Sequence, residues 1–296
     1  PTIINSIGEF DEYKEVLFKN GIEVISLYKF NLLRLLPKKN FLPSRFTYLI
    51  IFILSFFPLL ILIKRNKPDF LISHLITSLP LILFFFNLDK TRHILRISGL
   101  PKMTLMRKFL WKISEKKLFK IFCPTKGTMN YLIDNNIFPR EKIDLLRDPV
   151  INISKINRLK KDPNNDENFF VCIGRLTKQK NFSIVIDNFK EILQIDNQIK
   201  LYIIGDGEEY KLLKNKIYTN NLEKKIFLIG YKKNVFKYLK NARFFLLSSL
   251  WEDPGWVLIE AAALNTSIIS SNCKNGPQEF LEDSQGGILF DNNDSA

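Results

Sequence analysis

The sequence predicts an α/β chain of two doubly wound parallel sheets, two Rossmann-like domains facing each other across a cleft. Three observations predict it. Short apolar runs without polar alternation recur along the second half, helical stretches separate them, and several runs end in Gly or Ser. Continuous apolar strands are those buried on both faces, which is the habit of parallel sheets covered by helices. Such sheets bind ligands at the carboxyl ends of their strands.

The elements follow in order. "EFDEYKEVLFKNGIEVISLYKF" reads as a helix, a turn at Gly21 and a strand over 21–28. "PDFLISH" (68–74), "HILRISG" (93–99) and "KIFCPT" (120–125) read as further strands, with helices in the gaps. The polar, basic, Pro-containing stretch 145–168 is the linker candidate, so the domains are expected at 1–148 and 149–296. In the second domain the strands are 169–174, 200–205, 225–230, 242–250, 266–271 and 286–290. Helices are expected after Asn181, from Glu208, up to Leu239 and from Trp256.

Residues 46–63, "FTYLIIFILSFFPLLILI", carry no charge and stand between Arg45 and Lys64-Arg65. Their length reaches the lower limit of a membrane span. Three readings stay open: a span, a helix docked in the first domain and kinked at Pro58, or a basic-edged helix resting in a membrane interface.

The formal net charge is +14 over 296 residues. That charge suits nucleic acid, an anionic membrane surface or a phosphorylated substrate. Cys123, Cys172 and Cys273 stand apart without a C-x-x-C pair, which points to a reducing compartment and away from disulfides or zinc. His74 and His93 are the only histidines, and no two aspartates are spaced D-x-D. The chain starts at Pro1 without a signal-peptide pattern and stops just after a strand, so it is expected to be a fragment at both ends.

Three stretches carry chemistry. In "GRLTKQKN" (174–181) a strand gives way to a helix, and Arg175, Lys178 and Lys180 stand at the strand's carboxyl end. Gly174 permits close backbone approach, and a helix N-terminus favours anions. A diphosphate site and a solvated basic loop both fit. "IIGDGEE" (203–209) has a G-x-G at Gly205 but no third glycine, so a tight strand-to-helix turn fits as well as a phosphate contact. In "WEDPGWVLIE", Glu252 leaves a strand, Pro254-Gly255 turn the chain, and Trp256, Glu260 and Ala263 share a helix face. Carboxylates aimed at a basic cleft suit a ligand with a diphosphate and sugar hydroxyls. A structural pairing of Glu260 with a core Arg or Lys stays equally open.

Taken together, these motifs resemble the C-terminal domain of retaining family-4 glycosyltransferases of the GT-B fold. The shared pattern is Gly174-Arg175-Leu176 with Lys180-Asn181, then Gly205-Asp206-Gly207, then the E-x7-E pair Glu252 and Glu260, then the G-P-x-E turn at Gly276, Pro277 and Glu279. The resemblance covers about residues 145–296 well and the first half loosely. It implies a metal-independent transferase without a cofactor. A nucleotide-sugar donor would be the substrate, and a glycan or lipid-linked glycan the acceptor. Arg175 and Lys180 would bind the diphosphate, Glu260 the ribose and Glu252 the sugar. Gly255 and Trp256 would lend backbone amides, and His74 would stand near the sugar. "NCKNGPQEF" is most similar to members using UDP-hexoses or their N-acetyl forms. The family's usual Gly-Phe after the first glutamate is Asp253-Pro254 here. The basic first half and residues 46–63 fit a cytoplasmic, peripheral place on an anionic membrane, in polysaccharide or lipopolysaccharide synthesis and without a nucleic-acid partner. A nucleotide-sugar epimerase or phosphorylase of the same fold, or a non-catalytic membrane-associated assembly protein, are the alternatives.

Overall fold

A computed structural model describes residues 1–29, 31–32, 41–74, 78–86, 88, 90–161, 167–273, 275–282 and 285–291. The chain divides into two compact units. One comprises Pro1–Arg96 and Met103–Ile121, the other Ile97–Lys102 and Phe122–Ala296.

The first part of the chain runs β1 (Thr2–Asn5), α1 (Lys14–Lys19), β2 (Glu23–Ser26), α2 (Phe41–Asn66), β3 (Phe70–His74), α3 (Ser78–Leu83), β4 (Arg92–Arg96), α4 (Leu105–Ser114) and β5 (Leu118–Cys123). β1 and β2 form a parallel pair, and β3 pairs in parallel with β4. The four-stranded sheet has the order β3-β4-β5-β6, with β6 at Ile143–Leu145. β1 and β6 were not expected from the sequence. With four and three residues they are too short to show a period.

The apolar stretch 46–63 lies within α2, and Pro58 sits inside this helix. Ile51, Ser55, Leu59 and Ile63, four apart, are buried along one face. Leu59 and Ile63 pack with Leu79, Leu83, Phe84 and Leu88 in the core of the first unit. Leu49, Ile53, Phe57 and Ile61, also four apart, are exposed. The helix therefore uses only one side for its own fold, and the other remains apolar and accessible.

His93, on β4, is fully buried. Its ring stacks on Phe84 with centroids 4.3 Å apart, and Nε2 lies 2.8 Å from Ser73 Oγ. Burial pushes its pKa down to about 4. The folded chain thus refuses a proton that the unfolded chain takes up near pH 6.5. Stability is full above the unfolded value and declines as pH falls from about 6.5 towards 4. We expect the first unit to lose about 2 kcal/mol between pH 7.5 and pH 5 from this group. Denaturant titrations at both pH values check it: His93→Leu is to show a smaller pH dependence than the wild type, and equal dependences refute the assignment.

The second part continues with α5 (Lys126–Asp134), β6, α6 (Ile153–Lys161), β7 (Glu167–Ile173), α7 (Phe182–Ile195), β8 (Lys200–Ile204), α8 (Tyr210–Thr219), β9 (Ile226–Gly230), α9 (Phe236–Asn241), β10 (Ala242–Leu247), α10 (Trp256–Ala263), β11 (Ile268–Ser271), α11 (Gly276–Phe280) and β12 (Ile288–Phe290). All six strands expected in the second half form, and every pair among them is parallel. Successive side chains of β7 serve opposite cores. Phe170 and Cys172 pack with Ile186 and Phe189 of α7. Phe169, Val171 and Ile173 pack with Leu258 and Ala261 of α10. Burial on both faces is the reason these strands read as unbroken apolar runs. The linker expected over 145–168 is in part α6, because Ile156 and Leu159 join the second core; residues 162–166 lie outside the described residues.

Candidate active site

The six-stranded sheet has the order β12-β11-β10-β7-β8-β9. The chain builds outward from β7 to β9, then returns to β10 on the other side of β7. The winding direction reverses between β7 and β10, and doubly wound sheets take ligands at the carboxyl ends of the strands beside such a reversal. The loops that follow these two strands are "GRLTKQKN" and "SSLWEDPG", the stretches singled out by sequence.

Backbone bonds lock the first loop in place. Gly174 N–H donates to Ile204 O at 3.0 Å, and Leu176 N–H donates to Asp206 O at 3.0 Å. A Cβ on Gly205 would stand 1.8 Å from Gly174 O, so only glycine fits beside that loop. Glu209 N–H returns to Leu176 O at 2.9 Å. The G-D-G stretch thus acts here as the tight turn that buttresses the 174–176 loop.

The second loop is pinned to the first. Leu250 N–H donates to Gln179 O at 2.8 Å, Gln179 Nε2 to Trp251 O at 2.9 Å and Ser248 Oγ to Lys180 O at 2.8 Å. This register brings Lys180 to Glu252. Lys180 Nζ donates to Glu252 Oε1 in a short ion pair, and Ser249 Oγ donates to the same oxygen at 2.6 Å. The Lys180 stem runs along Gly174, where a Cβ would lie 3.0 Å from its Cε. Glu252 is only 6% exposed. A buried carboxylate is tolerable because it holds both a cation and a hydroxyl. Cys273 lies close by, and burial pushes its thiol up to about 11, so it is no nucleophile at neutral pH.

Glu260 has a different setting. It is half-buried on α10, and burial raises its carboxyl above the ordinary range while Lys155 of α6 draws it back. It makes no hydrogen bond or ion pair among the described residues, so its acceptor oxygens remain available. The N-cap of α10 is Gly255, at φ 88°, and no side chain caps this end. The first amides of α10 and its positive dipole end are thus open to an anion. By contrast, Thr125 Oγ1 caps α5 by accepting from Thr128 N–H at 3.2 Å, and Glu279 accepts from Lys126 N–H at 2.7 Å. Trp256 and Arg175 are exposed. His74 ends β3 in the first unit and is exposed.

Of the residues expected to act together, the structure joins Gly174, Gly205, Lys180 and Glu252, with Gly255 packed 3.6 Å from the Glu252 side chain if it bore a Cβ. Ser249 was missed by the sequence reading. Its signal was there: two serines close an otherwise apolar strand. Lys155 was also missed, because it stands in the stretch read as linker.

The chain is similar to known glycosyltransferases. The family model "Glycosyl transferases group 1" matches residues 154–296. An uncharacterised glycosyltransferase of Methanocaldococcus jannaschii is 30% identical, over 93% of this chain and 68% of its own length. The N-acetylgalactosamine-N,N'-diacetylbacillosaminyl-diphospho-undecaprenol 4-alpha-N-acetylgalactosaminyltransferase of Campylobacter jejuni is 29% identical, over 64% of this chain and 51% of its own. The poly(ribitol-phosphate) alpha-N-acetylglucosaminyltransferase of Staphylococcus aureus is 28% identical, over 56% and 37%. The chain therefore spans about two thirds of the first relative, about half of the second and about a third of the last. Among solved structures, HepE of Anabaena with UDP superposes at TM-score 0.67 with 13% identity, over 99% of this chain and 85% of that one. TarM of Staphylococcus aureus superposes at TM-score 0.68 with 20% identity, over 81% and 49%.

Fold and comparisons thus define a glycosyltransferase of GT-B fold. The chain belongs to the group 1 glycosyl transferase family.

Proposed function

We propose that this chain carries the donor site of a retaining, metal-independent glycosyltransferase. It takes a UDP-hexose or UDP-N-acetylhexosamine and glycosylates a cell-surface or lipid-linked glycan. The observation that carries the reading is the buried Lys180–Glu252–Ser249 cluster at the sheet's switch point, beside the uncapped N-terminus of α10. A diphosphate held by Arg175, Lys180 and the amides of Gly255 and Trp256 leaves with the electron pair of the broken sugar C1–O bond. The cations and the helix end meet the charge that develops there. The acceptor hydroxyl forms the new C1–O bond on the same face and passes its proton to the departing diphosphate oxygen. Glu260, with unoccupied acceptor oxygens, suits the two ribose hydroxyls. Glu252 contacts the donor sugar in this reading.

Relatives whose names specify undecaprenyl diphosphate or poly(ribitol phosphate) acceptors support an acceptor at a membrane or wall polymer. The first unit has a surface for such a location. Along α4, Leu105, Met106, Phe109 and Ile113 form an exposed apolar arc, while Trp111 and Ser114 are buried on the other side. Lys108 and Lys112 flank the arc, and Lys116 follows it. An apolar face with cationic borders is the pattern of a helix lying in an anionic lipid interface. The exposed face of α2 offers a second apolar strip, ending in Lys64 and Arg65. We place the protein on the cytoplasmic side of such a membrane.

The donor assignment is tested by a thermal-shift screen of UDP-, GDP- and ADP-sugars on the full-length protein, since only a true ligand raises stability by mass action. Transfer assays of Glu260→Ala and Arg175→Ala follow. Charge-assisted hydrogen bonds contribute about 1.5–3 kcal/mol, so each variant is expected to lose roughly 10–150-fold in kcat/KM. Glu260→Ala should act through donor KM and Arg175→Ala through kcat. Transfer is expected to persist in EDTA. Wild-type rates in both variants would sink the site.

A further inference from the structure

The loop that carries Glu252 has a second carboxylate whose contacts the donor site does not use. Asp253 Oδ2 accepts from Leu100 N–H at 2.7 Å and from Thr128 Oγ1 in a short bond, and Oδ1 accepts from Thr125 Oγ1 at 2.8 Å. Leu100 lies beyond the carboxyl end of β4, Thr125 beyond that of β5, and Thr128 in the first turn of α5. Thr125 and Thr128 are buried. All four residues belong to the second unit.

A second grip lies alongside. Glu279 accepts from Lys126 N–H at 2.7 Å and pairs with Arg147 at 2.9 Å. Gly276 presses against Pro254, where a Cβ would stand 1.9 Å from the Pro254 carbonyl oxygen. Glu252 itself bridges Asn275 in parallel fashion. The 252–255 turn is thus held from both flanks, by α5 through Asp253 and by the start of α11 through Asn275 and Gly276. Three charge-assisted bonds on one carboxylate make Asp253 the strongest single anchor of that turn.

We propose that Asp253 is a positioning residue: by holding Leu100, Thr125 and Thr128 it fixes the turn so that Glu252 meets Lys180 and the α10 amides face the donor. A loop without this anchor keeps its residues but lets them sample wrong positions, and misplacement of about 1 Å can cost roughly 100-fold in rate. The anchor also explains why an acidic residue suits this place: a glycine would offer no acceptor to the two buried hydroxyls.

The kinetic arm rests on the transfer reading; the structural arm does not. The structural arm is hydrogen exchange on the full-length protein. In Asp253→Ala the Leu100 amide is expected to exchange at least 10-fold faster, with β7 and β8 unchanged. Wild-type protection at Leu100 overturns the proposal, and so does loss of protection spread evenly over the second unit. The kinetic arm uses the UDP-sugar that supports transfer by the wild type, at a temperature where every variant is folded. Asp253→Ala should lower kcat 10–100-fold with donor KM changed less than threefold. Asp253→Asn should recover part of the loss, because its oxygen can serve Leu100 and Thr128 while the Thr125 hydroxyl accepts from its NH2. Thr128→Val should lower kcat on its own but cost little further in the Asp253→Ala background, that is, the two effects should not add. Additive effects, or a wild-type kcat in Asp253→Ala, overturn it. If no UDP-sugar supports transfer by the wild type, the donor reading fails and hydrogen exchange alone decides the positioning role.

Discussion

Lys180→Ala is expected to abolish most sugar transfer and to destabilise the second unit at the same time. Both effects have one origin. Lys180 Nζ is bonded to Glu252, with side-chain exposures of 14% and 7%. Removing one member of a buried ion pair leaves a charge without a counter-charge, at a cost of about 3–5 kcal/mol. Ser249 still donates to Glu252 and offsets part of it. Transfer suffers separately, because a cation beside the departing diphosphate is worth roughly 100–1,000-fold in rate, by analogy with other groups that meet developing charge. A second substitution separates the two. Adding Glu252→Gln removes the orphaned charge, so the double variant should regain most of the stability lost by Lys180→Ala while transfer stays lost. Denaturant titration and initial rates, measured on all four proteins, give the coupling between the two residues directly. Wild-type transfer by Lys180→Ala, or equal stability of the single and double variants, would refute the arrangement.

Binding to anionic vesicles should collapse when the exposed arc of α4 is made acidic. Leu105 is 86% exposed and Phe109 is 67% exposed. Full burial of a Leu or Phe side chain contributes about 1.5–3 kcal/mol, and partial insertion of several such groups suffices for reversible docking. Each nearby Lys adds about 1 kcal/mol at an anionic surface. Leu105→Glu with Phe109→Glu removes two apolar groups and adds two repelled charges, so a fall of at least 10-fold in vesicle partitioning is expected. The fold should tolerate the change, because neither side chain is buried and the core contact of α4 is Trp111. Sedimentation with vesicles containing anionic lipid, compared with purely zwitterionic ones, measures it. Wild-type binding should favour the anionic vesicles and weaken at high salt. Failure of the wild type to bind, or equal binding by the double variant, removes the membrane docking and leaves the donor site untouched.

The nature of the second half was legible because its physics is local. A strand buried on both faces must be apolar at every position, so β7, β8, β10 and β11 announce themselves as runs. A turn that must admit a backbone needs glycine, so Gly174 and Gly205 stand out. The E-x7-E spacing links a strand end to a helix and survives as a pattern. The short strands β1 and β6 carry no such signal, and α6 was concealed in a stretch whose charge outweighs its few apolar residues. The same excess of charge hid Lys155, which the structure sets near Glu260.

By itself, then, the sequence determined the α/β class, the parallel strands of the second unit and the residue types of the proposed donor site. Each depends on neighbours within a turn or a strand, where periodicity is visible. Only the tertiary structure decided the partners. Lys180 and Glu252 are 72 residues apart, and Asp253 is 153 from Leu100 and 128 from Thr125. No local pattern encodes which carboxylate will meet which donor across such separations. The reversal of winding between β7 and β10 brings the first pair together, and the packing of α5 against the 252–255 turn brings the second. The odd Asp253-Pro254 thereby changes from a departure in a motif into the point where that turn is held.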